Sequence, residues 1–356
     1  MKLRNFSIVS GTILLALPLM SIAALGQSQN AGQLGANRVA TNLPGATTSI
    51  APPQGFNPLE ASDAELSTYG FPPRPDSALE PKAFATWSKA MVASKSRVLP
   101  QLEQTKIFHG PVRKAANSSV MEGTGYSYNW SGLVDFSGAS AYNKTSSFYY
   151  LFADYVVPVA RQAFGACTGA WDYSSSWVGI DGDGSSDVLQ AGTEADAYCS
   201  GSTTSTYYSA WYEWYPYGSV RISNFPVSPG DDIFVEVWNT SATQGYMYMV
   251  NYNNNQSVEI GFTAYPGYRL VGNSAEWVVE RPSVGSLATL SNYISDYFSD
   301  CYAYTFSYAT YTPGTASALS LTMLDNSGYN ISYPTLLGST GIWFQDENSA
   351  RFASEP

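Results

Sequence analysis

Histidine is nearly missing from this chain: His109 is the only one among 356 residues. Cysteine is scarce too, with only Cys167, Cys199 and Cys301. Charged residues make up 13%, and Lys144 is the only lysine after Lys114. Each scarcity excludes a chemistry. A functional domain that begins after residue 117 contains no histidine, which removes Ser-His-Asp and Cys-His catalysis and the usual zinc sites. The sequence offers no basic groove for nucleic acid and no Gly-rich phosphate loop ahead of a helix. Carboxylates, amides, tyrosines and tryptophans are the tools that remain.

Aromatic residues, in contrast, are abundant at 15%, with 27 Tyr and 9 Trp, and they favour strands over long helices. The first residues read differently. Lys2 and Arg4 precede a short apolar run at 13–19, and small residues follow at Ser21, Ala23, Ala24 and Gly26. That order predicts a secretory signal peptide over 1–26 and an extracellular protein. Residues 1–117 hold eleven basic against six acidic residues, net +5, and the remainder holds six against 22, net −16. A carboxylate-rich surface repels itself at neutral pH and relaxes in acid, so the charge excess reads either as a working life in acid or as the plain solubility of an exported protein. Three cysteines in an exported chain suggest one disulfide and one thiol. Cys167 with Cys199 brackets the motif "WVGIDGDGSSDVLQAG" and is the preferred pair, although one sequence leaves the connectivity open.

Residues 27–56 lack an apolar period and read as a flexible leader. Next come short helices, one capped at Ser62 or Asp63 and one with Phe84, Trp87 and Met91 at helical spacing. A small basic helical stretch over 27–117 fits a pro-segment that inhibits its own chain, with a permanent accessory domain as the alternative. His109 is expected there as an exposed side chain. From residue 118 onward the pattern alternates in short strands, predicting an all-β catalytic domain over 118–356 in sandwich or barrel form. The stretch after Leu287 is less regular. Sequons stand at Asn129, Asn143, Asn239, Asn255 and Asn330.

A period of two places Val188 with Gln190, Trp211 with Glu213, Glu276 with Glu280, and Trp177 with Asp181 on shared faces. A carboxylate can activate water while an amide N–H steadies an oxyanion. Asp181, Asp183 and Asp187 loosely resemble a calcium loop but lack its closing glutamate.

Four stretches, "YNWSGLV" at 128–134, "SSWVGIDGDGSSDVLQAG" at 175–192, "AWYEWYP" at 210–216 and "AEWVVE" at 275–280, together resemble the glutamic peptidases, or eqolisins, which are secreted acid endopeptidases. The resemblance implies a sandwich of two antiparallel sheets, jelly-roll or concanavalin-like, with Gln190 and Glu280 as a catalytic dyad. It also implies Trp130 and Trp177 as cleft walls, Asp181 and Glu213 as supporting carboxylates, no metal and no other cofactor. Trp211 joins the substrate-binding candidates through its place beside Glu213. The sequence departs from the family's strand at Ala191, where a threonine is usual, and at Arg281 after the glutamate.

The expected partners are protein or peptide substrates and the chain's own pro-segment, and the expected state is a monomer. The competing reading is a glycan-binding or glycan-hydrolysing sandwich using Glu213 and Glu280. A non-catalytic cell-surface sandwich is a third.

Overall fold

The computed structural model describes residues 37–115, 123–165 and 167–347. The expected signal peptide and the expected boundary at 117/118 lie outside them. Alternating apolar residues build two antiparallel sheets packed face to face. The first runs Leu319–Leu324, Trp130–Phe136, Ser274–Glu280, Ser175–Ile180, Leu189–Ser200, Thr203–Trp214 and Val220–Ile222. The second runs Gly341–Asp346, Ser295–Thr305, Phe148–Val156, Asp232–Ser241, Gln244–Asn251 and Gln256–Thr263. Strand Asn330–Leu337 joins them, pairing with Leu319–Leu324 on one side and Gly341–Asp346 on the other. The region after Leu287, read as irregular, thus supplies strands to both sheets.

The period of two explains the packing. Leu189, Ala191, Val178, Ile180, Trp277 and Val279 point inward from the first sheet and meet Leu151, Val235, Met247 and Ile260 of the second. Each such burial contributes about 1.5–3 kcal/mol. Alternate residues of the first sheet face outward into a cleft floored by Trp130, Trp177, Val188, Trp211 and Val278. Gly192 is required in that floor, because a Cβ there would stand 2.1 Å from the Ser176 carbonyl and 2.5 Å from Trp177 Cβ.

The N-terminal segment is woven into this frame. Helix Asp63–Thr68 starts at a capping box in which Ser62 Oγ accepts from Glu65 N and Glu65 accepts from Ser62 N. Helix Pro81–Ala93 buries Ala83, Trp87, Ala90 and Met91 against Tyr150, Phe152, Phe234 and Tyr248 on the outer face of the second sheet. The flexible leader expected over 27–56 is corrected where it is described: Arg38–Ala40 pairs with Thr47–Ser49. The cause is electrostatic. Glu259 is buried on the second sheet, and Arg38 Nη2 at 2.8 Å and Ser49 N at 2.7 Å satisfy its carboxylate. A buried carboxylate left unpaired would be costly. Farther along, Ser96–Arg97 runs parallel to the edge strand Gln256–Thr263, and Leu102–Gln104 extends the first sheet beyond Val220–Ile222. Cys167 and Cys199 form a disulfide, and Cys301 is free and buried.

Candidate active site

Three neighbouring strands carry the expected dyad, and both members reach His109. In cross-strand register Gln190 lies opposite Gly179 on one side and Glu213 on the other. Glu276 lies opposite Gly179 from the third strand, and Glu280, two pleat repeats farther on, lies opposite Ser175 and Trp130. Gln190, Glu213 and Glu280 all face the cleft and are almost wholly buried.

Glu280 is held by donors. Trp177 Nε1 donates to its Oε2 at 3.0 Å and Asn129 Nδ2 to its Oε1 at 3.2 Å. Burial pushes its carboxyl above the ordinary range, while His109 and Asn129 pull it back. Glu213 is raised well above the usual carboxylate range, chiefly by burial. Trp130 and Trp177 meet edge to face, with centroids 5.0 Å apart.

Asp181, expected as a supporting carboxylate, makes its contacts with backbone. It stands in the turn at φ 71°, and its carboxylate accepts backbone N–H groups from Val271, Gly272 and Asn273 at 2.6–3.0 Å. Burial raises it to about 6 even so. It ties the acidic turn to the loop before the Glu280 strand, because a buried carboxylate takes the nearest unpaired N–H groups. The calcium-loop likeness has a similar answer: Asp183 accepts Lys114 Nζ at 2.6 Å, and Asp187 accepts Trp214 Nε1 at 2.8 Å.

The largest difference from the sequence reading is His109. Expected as exposed, it is fully buried in the cleft. The segment crosses the site in extended form: Phe108 and Ser283 exchange both backbone hydrogen bonds, and Val112 N donates to the Gly182 carbonyl. Between those anchors His109 N donates to Glu213 Oε2 at 2.8 Å, and Gln190 Nε2 donates to the His109 carbonyl. Trp130 Nε1 donates to the Gly110 carbonyl at 3.1 Å, and Asn129 Nδ2 to the Pro111 carbonyl at 3.2 Å. The imidazole stacks on Trp211 with centroids 3.8 Å apart and planes 9° from parallel. Its Nε2 is 2.8 Å from Glu194 Oε1 and its Nδ1 3.4 Å from Glu280 Oε2. A polar backbone and an aromatic wall together outweigh the cost of burying one neutral ring.

Sequence reasoning missed Asn129, Glu194 and Asp196 as site residues. Asn129 entered only as a sequon, yet its side chain is buried between Glu280 and the segment. The period of two that picked out Gln190 also puts Glu194 and Asp196 on the cleft face, so a signal for them existed.

This geometry can be set beside known proteins. The chain is 32% identical to Aspergillopepsin-2 of Aspergillus niger over 188 residues, 50% of this chain and 64% of that protein. It is 37% identical to Scytalidopepsin B of Scytalidium lignicola over 107 residues, 30% of this chain and 38% of that protein. It therefore spans less than two thirds of either relative's length. Its fold is similar to the crystal structure of scytalido-glutamic peptidase with a transition state analog inhibitor. There the TM-score is 0.50 and the identity 25%, covering 62% of this chain and 98% of that one. The model of the Peptidase A4 family matches residues 128–341, a span that contains Gln190, Glu213 and Glu280 and begins after His109. With the sandwich, the cleft strands and that match in agreement, the chain belongs to the Peptidase A4 family.

Proposed function

We propose that this chain is the precursor of a secreted, acid-acting endopeptidase in which Gln190 and Glu280 are the catalytic pair. One observation carries the reading: a peptide carbonyl, that of His109, is seated on Gln190 Nε2 while the Glu280 carboxylate stands 3.4 Å from Nδ1 of the same residue. A substrate carbonyl in that place is poised for hydrolysis. Ionised Glu280 takes a proton from water as the water oxygen bonds to the carbonyl carbon. Gln190 donates its N–H to the oxyanion that forms. When the C–N bond breaks, Glu280 returns the proton to the leaving amine, giving a carboxylic acid and an amine. Glu213, which holds the main-chain N–H of the same residue, positions the peptide and takes no proton in this scheme.

The N-terminal segment is then the intramolecular inhibitor. Its main chain occupies the positions a substrate would take, and the imidazole of His109 stands with Nδ1 3.4 Å from the Glu280 carboxylate. The positively charged segment and negatively charged domain favour the docked form. Asp181 and Glu213 meet no segment cation among the described residues. Lys89 meets Asp154 at 2.9 Å, Lys114 meets Asp183 at 2.6 Å and Arg38 meets Glu259 at 2.8 Å. The leading residues 1–26 direct export in this reading. No helix among the described residues is long and apolar enough to cross a membrane.

The test is to express residues 27–356, acidify to between about pH 2 and 5, and follow both self-processing and digestion of a denatured protein. Processing at the His109–Gly110 bond or nearby, insensitive to chelators and to serine- and cysteine-directed reagents, is the expected result. A folded protein that cleaves nothing in that range would refute the proposal.

A further inference from the structure

The N-terminal segment is held in two different ways. In residues 37–104 the hold is largely apolar: Leu66, Phe71, Trp87 and Met91 are buried in one cluster with Tyr150, Phe152, Phe234, Trp238, Tyr248 and Tyr304 of the second sheet. Polar contacts reinforce it. Lys89 Nζ stands 2.9 Å from Asp154, and Ser94 Oγ and Arg97 Nη2 reach Tyr248 Oη at 2.8 and 3.1 Å. Asn42 and Leu102 exchange two hydrogen bonds, at 2.8 and 2.9 Å, which tie the ends of this stretch together. Between Thr105 and Lys114, in contrast, His109 is the one buried residue, and the hold on the cleft is polar.

Removing the first part would uncover a face that water suits badly. Each of the six sheet aromatics brings about 150–250 Å² of surface. Laid bare together they make a patch larger than the roughly 300–600 Å² usual for soluble monomers. Glu236 lies on the same face, opposite Phe152 and Tyr248 in register, and is 0% exposed. Among the described residues neither of its oxygens has a hydrogen-bond partner. Burial holds it well above the ordinary carboxylate range, so it is uncharged in acid and the face stays apolar there. Glu259, farther along, would lose both Arg38 and the Ser49 N–H.

We propose that residues 37–104 stay on the processed enzyme as a non-covalently held cover for the second sheet, and that only the strap beginning at Thr105 is lost. The inference rests on the peptidase reading for the cutting and goes beyond it in what remains afterwards. Inhibition belongs to the strap and stability to the cover. One cut at His109–Gly110 does not clear the site, because Gln104, paired with Val220, still tethers the new His109 carboxylate beside Gln190. The cleft is freed by a second cut on the Gln104 side of Phe108, where Lys106 is exposed.

The experiment acidifies the chain 27–356, lets processing finish, and passes the product through gel filtration at the same pH. The active peak should hold two fragments in equal amounts by denaturing electrophoresis and mass spectrometry, the smaller ending between Gln104 and Ile107. An active peak holding the C-terminal fragment alone overturns the proposal. Trp87→Ala gives a second reading: it should lower the melting temperature of the processed enzyme, as well as that of the precursor, by on the order of 5 °C. A processed enzyme that melts unchanged overturns the cover. If that variant fails to fold, gel filtration of the unaltered protein decides alone. A folded chain that never cuts itself overturns the peptidase reading instead. A recognition site for an added specific protease between Asn117 and Ser118 then supplies the cut, and coelution or separation of the fragments in acid decides the cover by itself.

Discussion

Replacing Gln190 by Ala tests the proposed chemistry most directly, and its size follows from the geometry. Among the described groups, Gln190 Nε2 is the one donor on the His109 carbonyl, so its loss leaves a carbonyl in that place without a hydrogen bond. If the same N–H serves an oxyanion, removing it costs about 2.7–4 kcal/mol of transition-state stabilisation, or roughly 10²–10³-fold in kcat. Ground-state binding should change less, since Glu213, Trp130 and Asn129 still hold the peptide backbone. The fold should survive, because Leu189 and Ala191, which face the core on either side, are untouched. The assay is steady-state hydrolysis of a chromogenic peptide by the acid-processed enzyme, with kcat and KM resolved and thermal unfolding recorded in parallel. A Gln190→Ala enzyme with kcat within about 10-fold of the original, beside an inactive Glu213→Gln enzyme, would refute the amide role and point to two carboxylates instead.

Glu280→Gln keeps the shape and removes the base, so turnover should vanish while the fold and peptide binding persist; residual turnover above about 1% would show that another group is the base. Inhibition by the separated segment, added in trans, should weaken as pH falls. Docking buries His109 and lowers its affinity for a proton, so the docked form is favoured above the free imidazole's ordinary value and loses ground below it. Lys89 likewise holds Asp154 below where burial alone would put it, and that contact is lost as pH falls through about 6. Glu213 and Glu280, raised by burial that the segment completes, pull the other way. The measurement is Ki against pH with the native segment and with His109→Gln: a flatter profile for the variant is expected, and identical profiles would remove His109 from the switch. Trp87→Ala in the segment should cost about 3–5 kcal/mol of packing and abolish inhibition in trans, read as a lost Ki and a lower melting temperature of the full chain; undiminished inhibition would assign docking to residues 102–115 alone.

Much of this protein was legible in its residues because strand structure is local. A period of two put Leu189 and Ala191 on one face and Gln190 on the other, and the same rule placed Glu213 and Glu280 beside the tryptophans. Helix signals around Ser62 and from Phe84 to Met91 were equally local, resting on a cap and on apolar spacing. Scarcity speaks as well: a single histidine narrows the chemistry by itself. What local pattern cannot encode is which distant segments satisfy one another's buried charges and unpaired backbone. Arg38 is 221 residues from Glu259, and only their meeting turns an apparently structureless leader into strands. Asp181 lies 90 residues from the Val271 N–H it captures, and only the fold joins that turn to that loop. His109, 81 residues before Gln190, has no sequence mark of burial. Tertiary structure alone brought its carbonyl to the amide and its ring to Glu194, because the energy of such contacts depends on the three-dimensional sum of hydrogen bonds and desolvation, which no stretch of sequence carries by itself.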